Sequence, residues 1–274
     1  MKKISLANLG NVPKTLFLPL WGRARETRKP EPLLVDRKAL DIIDAVDFDF
    51  SPLAGNISKI TKTGWIMRSL CTDRVIAEFL RRHPRAAVVN IGCGLDTTFD
   101  RVDNGRVQWY DLDLPEVIEL RKHFIRDSAR RKFLPASFLE KDWRSRICPA
   151  DKVLFIAAGV FYYFREEEIK GFLKDLADEF PGGEILFDAS SRMGIKAANR
   201  MVIRQAGLDE RSFLVWGLDK PEDILSWDDR FILRETIFFF GDRRLNFRTR
   251  LMGLLSDALK MQYMIHLGWG GNGS

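Results

Sequence analysis

The chain has 274 residues, of which 46% are hydrophobic and 30% charged, and its formal net charge is +6 at neutral pH. This composition is that of one folded globular domain and excludes a disordered or fibrous chain. The three cysteines are odd in number and far apart, which excludes a disulfide framework and a zinc pattern, so no metal is expected. The arginine-rich runs over 121–132 and 243–250 are interpreted as solvated helix faces, and no nucleic-acid partner is expected. With no signal peptide or membrane span evident, we expect a cytoplasmic protein.

The sequence of residues 1–84 predicts an irregular arm followed by helices. Residues 1–35 are rich in proline and arginine without a sustained hydrophobic period, which predicts an extended or irregular structure. Asp36 is a candidate N-cap for a helix over 37–46, and a longer helix is predicted over 64–82, before Pro84. We predict that this part of the chain forms an N-terminal arm and helical cap that closes over the remainder.

From residue 85 onward, strand patterns alternate with helix patterns. Such alternation indicates an α/β fold with a mainly parallel sheet and helices on both faces. We therefore predict a Rossmann-like core over 85–274, with seven strands, that forms one structural unit with the cap. Strands are predicted over 86–91, 107–110, 152–158 and 184–188, helices over 115–126, 166–180 and 193–205, and further apolar runs lie at 213–216, 231–240 and 261–267, with a helix between the last two.

A glycine turn follows the first strand of this core. The sequence reads Val88-Val89-Asn90-Ile91-Gly92-Cys93-Gly94 and continues to Thr97. Gly92 and Gly94 can adopt backbone angles closed to other residues and let a ligand approach the main chain. The next predicted strand leads to two carboxylates, Asp111 and Asp113. A glycine turn beside such an acid is typical of a site for the ribose of a nucleoside cofactor.

Two kinds of cofactor compete for this turn. A dinucleotide fold would have a third glycine at the position of Thr97. S-adenosylmethionine has no phosphate, and it needs a carboxylate for its ribose diol, for which Asp111 and Asp113 are both candidates. It also needs an acceptor for the adenine amine, for which Asp142, beside Trp143, is a candidate.

The segments NIGCGLDTTFDR, YDLDLPEVIELRK and KDWR resemble the leucine carboxyl methyltransferase superfamily, and more closely its bacterial branch, the polyketide-synthesis O-methyltransferases. Similar segments extend from LFLPLWGRARETRKPEPLLVDRKALDIIDAVDFDF to the C-terminal HLGWG, so the resemblance spans nearly the whole chain. It implies a class I methyltransferase fold, S-adenosylmethionine as cofactor and a small-molecule acceptor, a polyketide-like phenol or carboxylic acid. By position it implies that Arg68, with help from Arg23, holds the carboxylate of the cofactor, that Gly92 is the turn glycine, that Asp113 binds the ribose, and that Asp142 and Trp143 bind the adenine.

One position departs from the family pattern. Related sequences commonly read Ala-Glu-Gly-Val after the fourth strand, whereas this chain reads Ala157-Ala158-Gly159-Val160. Ala158 therefore stands where a carboxylate close to the cofactor is expected, and its effect on catalysis is open. Aromatic residues follow over 161–164 and fit a planar substrate. Tyr162 and Tyr163 are candidates for a catalytic role, and no sequence feature chooses between them.

Several functions remain compatible with these residues. Our first hypothesis is an O-methyltransferase that acts on a small molecule. The alternatives are a carboxyl methyltransferase that acts on a protein C-terminus and a cofactor-binding homologue with lost or altered catalysis, which Ala158 motivates. A nicotinamide-dependent dehydrogenase is disfavoured by Thr97. The sequence determines neither the acceptor nor the oligomeric state.

Overall fold

The computed structural model describes residues 4–5, 16–51, 55, 57–148, 150–200 and 213–270. Among these, the helices are α1 (Phe17–Thr27), α2 (Arg37–Ala45), α3 (Lys59–Arg82), α4 (Phe99–Val102), α5 (Pro115–Lys122), α6 (Glu166–Glu179), α7 (Arg192–Ala198) and α8 (Phe247–Ala258). The strands are β1 (Ile4–Ser5), β2 (Val46–Asp47), β3 (Ala87–Ile91), β4 (Gln108–Asp113), β5 (Arg131–Pro135), β6 (Val153–Ala157), β7 (Glu184–Ala189), β8 (Phe231–Phe238) and β9 (Tyr263–Trp269). Short 3-10 turns lie at Arg144–Arg146, Phe161–Tyr163 and Pro221–Trp227.

A seven-stranded sheet with the order β5-β4-β3-β6-β7-β9-β8 forms the centre of the molecule. The strands from β3 to β7 pair in parallel, while β9 runs antiparallel to both β7 and β8. The predicted class, a seven-stranded and mostly parallel α/β sheet, is confirmed. Because parallel strands end at the same edge, the loops that follow β3, β4, β6 and β7 converge at the carboxyl edge of the sheet, where ligands bind in such folds.

The two central strands explain why this sheet forms. Every residue of β3 and β6 is buried, as expected of strands that helices cover on both faces. On one face the core contains large aromatic side chains such as Phe155, Phe187 and Trp269. On the other face Phe79 of α3 packs with Trp109 of β4. The apolar runs read from the sequence are thus the inner layer of a three-layer fold.

The prediction of an irregular arm over 1–35 is wrong for residues 17–27, which form α1. Pro19 lies in the first turn of this helix, where backbone N–H groups have no intrahelical acceptor, so the proline does not break it. Phe17, Leu20 and Ala24 share one face and are buried in a cluster with residues of α2. The helix is therefore held by tertiary packing that the local sequence pattern does not show.

The next two helices agree with the prediction, apart from one boundary. Asp36 caps α2 as predicted, since its Oδ1 accepts the N–H of Ala39 at 2.9 Å. The helix α3 begins at Lys59, before the predicted start at residue 64, because the Ser58 hydroxyl caps it by accepting the N–H of Thr61. Over the ranges described, none of the helices has the length and apolarity that crossing a lipid bilayer requires.

Other differences concern the edge of the sheet and the segment after β7. The strand β5 was not predicted, since it is a short edge strand that begins with Arg131 and Lys132. The apolar run over 213–216 forms no strand; instead the backbone N–H groups of Val215 and Trp216 both donate to the carbonyl oxygen of Tyr162. The helix predicted over 193–205 corresponds to α7, and the part of it from residue 201 lies outside the described residues.

Candidate active site

The glycine turn after β3 packs directly against the loop after β6. Gly92 has a φ of +58°, and a Cβ atom there would lie 2.5 Å from Cγ2 of Val160. Only glycine satisfies both the backbone angle and the close approach. The turn is also covered from the N-terminal side, since Leu16 Cδ2 lies 3.4 Å from where a Cβ of Gly94 would be. Three separate parts of the chain therefore meet at this turn.

Asp113, at the end of β4, is positioned beside the turn by backbone groups. Its Oδ2 accepts the N–H of Gly94 at 2.7 Å, and its Oδ1 accepts the N–H of Leu114 at 2.8 Å. Burial raises the pKa of this carboxyl above its usual range. The side chain remains partly exposed, and each oxygen of a carboxylate can accept a further hydrogen bond. Asp113 can therefore receive the two hydroxyls of a ribose.

Asp111, the other predicted ribose acid, lies in a buried ionic cluster. Its Oδ2 accepts from Arg121 Nη2 at 2.9 Å and from Arg131 Nε at 2.8 Å, and its Oδ1 accepts from Trp109 Nε1 at 2.8 Å. Burial alone would raise the pKa of Asp111, but the two guanidinium groups outweigh it and lower that pKa. Arg121 also donates to the carbonyl oxygen of Gly94 at 2.8 Å. Asp111 thus supports the turn from behind, with its oxygens already occupied.

A second buried cluster joins the N-terminal helices to the turn through Asp36. Its Oδ2 accepts from Arg23 Nε at 2.8 Å, from the Thr97 hydroxyl at 2.6 Å and from Arg101 Nη1 at 2.7 Å. Arg23 Nη2 also approaches Asp96 Oδ1 at 3.9 Å. Thr97, where a dinucleotide fold would have glycine, therefore contributes a hydroxyl that ties the turn to α1 and α2. The sequence did not indicate this cluster, because its members are far apart in the chain.

Asp96 extends this cluster toward the exposed side of the turn. It accepts the N–H and the hydroxyl of Thr98, both at 3.0 Å. Burial alone would raise the pKa of Asp96, but the charges of Arg23 and Arg101 outweigh it and bring that pKa to about 2. The negative charge of Asp96 also acts on Arg68. Asp96 is therefore a charged residue of the site that sequence analysis missed.

Arg68 reaches the carboxyl edge from α3 and pairs with Asp188, the penultimate residue of β7. Arg68 Nη1 donates to Asp188 Oδ2 at 2.8 Å, and the N–H of Gly159 donates to Asp188 Oδ1 at 2.6 Å. Gly159 has a φ of +80°, and a Cβ atom there would lie 3.0 Å from Arg68 Nη1. Gln262 Nε2 is 3.4 Å from Asp188 Oδ2. Asp188, fully buried and also missed from the sequence, thus fixes one edge of the Arg68 guanidinium.

The two candidate catalytic tyrosines differ in their environment. The Tyr162 hydroxyl is buried close to the side chains of Asp188 and Gln262, without a well-formed hydrogen bond to either. Burial, followed by the negative charge of Asp188, raises the pKa of Tyr162 well above its usual value. Tyr163 is half exposed.

Asp142 and Trp143, predicted to hold the adenine, lie in different environments, and Ala158 lies in a third. Asp142 is exposed, and its carboxylate has no hydrogen bond or ion pair within the described ranges. Trp143 is buried in the core, where its Nε1 donates to the carbonyl oxygen of Phe138 at 3.3 Å. Ala158 is half-buried against the apolar cluster that contains Leu154 and Ile156. The described residues include no group of three or more His, Cys, Asp or Glu side chains placed to hold a metal ion.

The polar groups at the carboxyl edge suit S-adenosylmethionine. Asp113 offers free lone pairs to a ribose, and the Nη2 group of Arg68 is left for a carboxylate because Asp188 takes only Nη1. The buried hydroxyl of Tyr162, close to Asp188, is a further polar atom at this edge. The N–H of Gly94, which a dinucleotide site would direct at a phosphate, is instead bound to Asp113.

Comparison with known proteins agrees with this chemistry. The family profile of the leucine carboxyl methyltransferases matches residues 17–177. The tetracenomycin polyketide synthesis O-methyltransferase TcmP of Streptomyces glaucescens is 30% identical over 220 residues, which cover 80% of this chain and 79% of that protein. The S-adenosyl-L-methionine-dependent methyltransferase dpfgK of Gibberella zeae is 24% identical over 256 residues, covering 85% of this chain and 84% of that protein.

A solved structure shares the fold. That of a candidate methyltransferase from Thermobifida fusca YX superimposes with a TM-score of 0.58 at 14% identity, covering 96% of this chain and 99% of that one. The family profile matches more than half of the chain, and the Streptomyces glaucescens relative covers most of it. The chain therefore belongs to the leucine carboxyl methyltransferase family, and it is a methyltransferase that uses S-adenosylmethionine.

Proposed function

We propose that this enzyme methylates an oxygen atom of a small organic molecule, a polyketide-like phenol or carboxylic acid. The observation that carries this proposal is the 30% identity to a polyketide O-methyltransferase over 80% of the chain. The structure supports it with exposed apolar side chains beside Tyr162, namely Tyr163 and Val215. Val215 is joined to this loop by its N–H, which donates to the Tyr162 carbonyl oxygen at 2.7 Å. An apolar acceptor would find a matching surface there.

In this proposal the residues at the carboxyl ends of β3 and β4 would hold the cofactor. Arg68 grips the carboxylate of the cofactor, with Arg23 adding positive charge from α1, and Asp113 accepts the ribose hydroxyls. Gly92 and Gly94 let the cofactor approach the main chain. Asp142 and Trp143 would hold the adenine, and Asp111 contributes by holding the turn through Arg121 rather than by direct contact. When bound, S-adenosylmethionine supplies a methyl group that its sulfonium has already activated.

The residues of the chain then have to align the acceptor and exclude water. The helices α1 and α2 act as part of the proposed cap, because the Asp36 cluster attaches them to the glycine turn. Tyr162 stays protonated near neutral pH because its pKa is raised, so its hydroxyl can donate a hydrogen bond but does not act as a base. We assign Tyr162 to orienting a polar group of the cofactor or acceptor.

The test is to follow a labelled methyl group. Purified enzyme is incubated with methyl-labelled S-adenosylmethionine and a panel of phenols and aromatic carboxylic acids, and in parallel with a cell lysate. We expect label in solvent-extractable methyl ethers or esters. Arg68→Ala provides the impaired control, and Arg74→Ala, an exposed arginine on the same helix, provides the matched active control. Label confined to precipitated protein would instead support the alternative function, carboxyl methylation of a protein C-terminus.

A further inference from the structure

The helix α8 has its polarity reversed relative to an ordinary surface helix. Its buried residues are Thr249, Gly253 and Asp257, which are four positions apart and form one stripe. A Cβ atom at Gly253 would lie 2.1 Å from Cγ of Phe240, and Asp257 accepts the backbone N–H of Phe240 at 2.8 Å. The helix is therefore attached to the protein through small and polar side chains, whereas a surface helix normally turns its apolar face inward.

The opposite face of α8 is apolar and open to solvent. Its large side chains are between 42% and 78% exposed. We put their combined accessible area at roughly 600 Å², which is at the upper end of the largest apolar patch of a typical monomer. No described element covers this face. Its members are Phe247, Leu251, Met252, Leu254, Leu255 and Leu259.

We propose that this face is the interface of a homodimer, in which α8 packs against α8 of a second copy of the chain. Phe247, Leu251, Leu254 and Ala258 follow one another at intervals of four, three and four residues, the spacing of a coiled-coil seam. Doubling the patch buries about 1,200 Å², the lower limit for a stable specific interface. In a dimer with two-fold symmetry both subunits use the same surface, so an apolar face packs against an identical apolar face.

The charges around α8 favour an antiparallel arrangement of the two helices. Arg248, in the first turn, is exposed and has no ion pair within the described residues. About a two-fold axis perpendicular to the helices, this cation lies near the C-terminal carbonyl groups of the partner helix, which carry partial negative charge. A parallel pairing would instead bring the two Arg248 side chains together. The dimer therefore has a preferred direction as well as an apolar seam, and it does not depend on the acceptor proposed above.

The test compares the mass of the full-length enzyme with that of a charged variant. Sedimentation equilibrium is measured from about 1 to about 100 μM protein, a range that covers micromolar dissociation constants. We expect the wild-type enzyme to dimerise and Leu251→Glu/Leu255→Glu to raise the dissociation constant at least ~100-fold, since dimerisation would bury unpaired carboxylates. Leu225→Glu, which changes a partly exposed leucine on the Pro221–Trp227 turn, is the matched control and should dimerise like the wild type.

Because the exchanged leucines are exposed, both variants should keep the wild-type circular dichroism spectrum and melting temperature, which separates dissociation from misfolding. A wild-type enzyme that is monomeric throughout the concentration range, or a double variant that dimerises as tightly, overturns the proposal. Co-sedimentation with vesicles of phosphatidylcholine and phosphatidylserine is measured as well. A monomeric wild type that binds these vesicles through Leu251 and Leu255 would assign the face to a lipid surface and likewise overturn the dimer.

Discussion

Replacing Arg68 with alanine removes a side chain to which the structure gives two separable tasks. Arg68 Nη1 donates to Asp188 Oδ2 at 2.8 Å, and the Asp188 side chain is fully buried. The loss of Arg68 therefore leaves an unpaired carboxylate in the interior, which costs about 3–5 kcal/mol of folding free energy. In the proposed site, Arg68 also binds the carboxylate of the cofactor. Losing those charge-assisted hydrogen bonds costs about 1.5–3 kcal/mol, which raises the dissociation constant about 10- to 150-fold.

A second substitution separates the two tasks. In Arg68→Ala/Asp188→Asn, the asparagine side-chain oxygen can still accept the N–H of Gly159, while the buried negative charge is gone. We expect this double variant to regain most of the lost stability and none of the lost affinity. The structural contribution of Arg68 would then appear in urea unfolding, and its binding contribution would appear only in titration with the cofactor.

The assay is isothermal titration calorimetry with S-adenosylhomocysteine, together with urea unfolding of each variant. Arg74→Ala is the control, since Arg74 lies on α3 as well but is exposed and paired with Glu235 at the surface. Its affinity should stay within about twofold of the wild type, as surface pairs contribute little. A double variant that is stable and binds S-adenosylhomocysteine as tightly as the wild type would show that Arg68 does not hold the cofactor.

Three further predictions concern the turn. Asp113→Asn should weaken S-adenosylhomocysteine binding about tenfold in calorimetry, because an amide has one acceptor oxygen where the carboxylate has two; unchanged affinity would contradict the ribose assignment. The pKa of Asp96 is about 2, below its usual 3.8, so its stabilisation is present above pH 4 and lost as pH falls toward 2. When the pH falls from 4 to 2, the unfolding free energy of Asp96→Asn in urea should therefore fall by about 2 kcal/mol less than that of the wild type. An equal fall in both proteins would refute this. Gly92→Ala should lower the unfolding free energy by about 1–3 kcal/mol, because of the positive φ at this position and the clash with Val160. Adding Val160→Ala to this variant removes the clash but not the unfavourable φ, so thermal melts should show only part of the stability restored.

The part of the fold around the turn could be predicted because its signals are local. A continuous apolar strand, two glycines and a strand-end acid lie within one short segment, and the structure places Gly92, Gly94 and Asp113 together. The helix α1 could not be predicted, because its stability comes from packing against α2. The strand β5 escaped notice because an edge strand needs few apolar residues, and Arg131 uses its charge to bind Asp111.

The ionic clusters behind the site were beyond sequence analysis for another reason. Arg23, Asp36 and the pair Thr97 and Arg101 come from three separate segments, and no spacing or composition relates those segments. Asp188 was equally hidden, because a single acid at the end of a buried strand has no distinguishing pattern. One signal was available in retrospect: β7 is otherwise apolar at its centre, and a carboxylate there requires a cationic partner from elsewhere in the chain.

The pairing of Asp188 with Arg68 changes how the alanine at position 158 is interpreted. Asp188 Oδ1 accepts the N–H of Gly159, so a buried carboxylate is bound next to position 158, where the family resemblance predicts glutamate. This carboxylate also accepts from Arg68 Nη1, so it holds the guanidinium group in place. The pair can therefore supply alignment. In the proposed mechanism, Ala158 thus bears on how the cofactor is held, while the acidity of the acceptor oxygen decides how readily it is methylated.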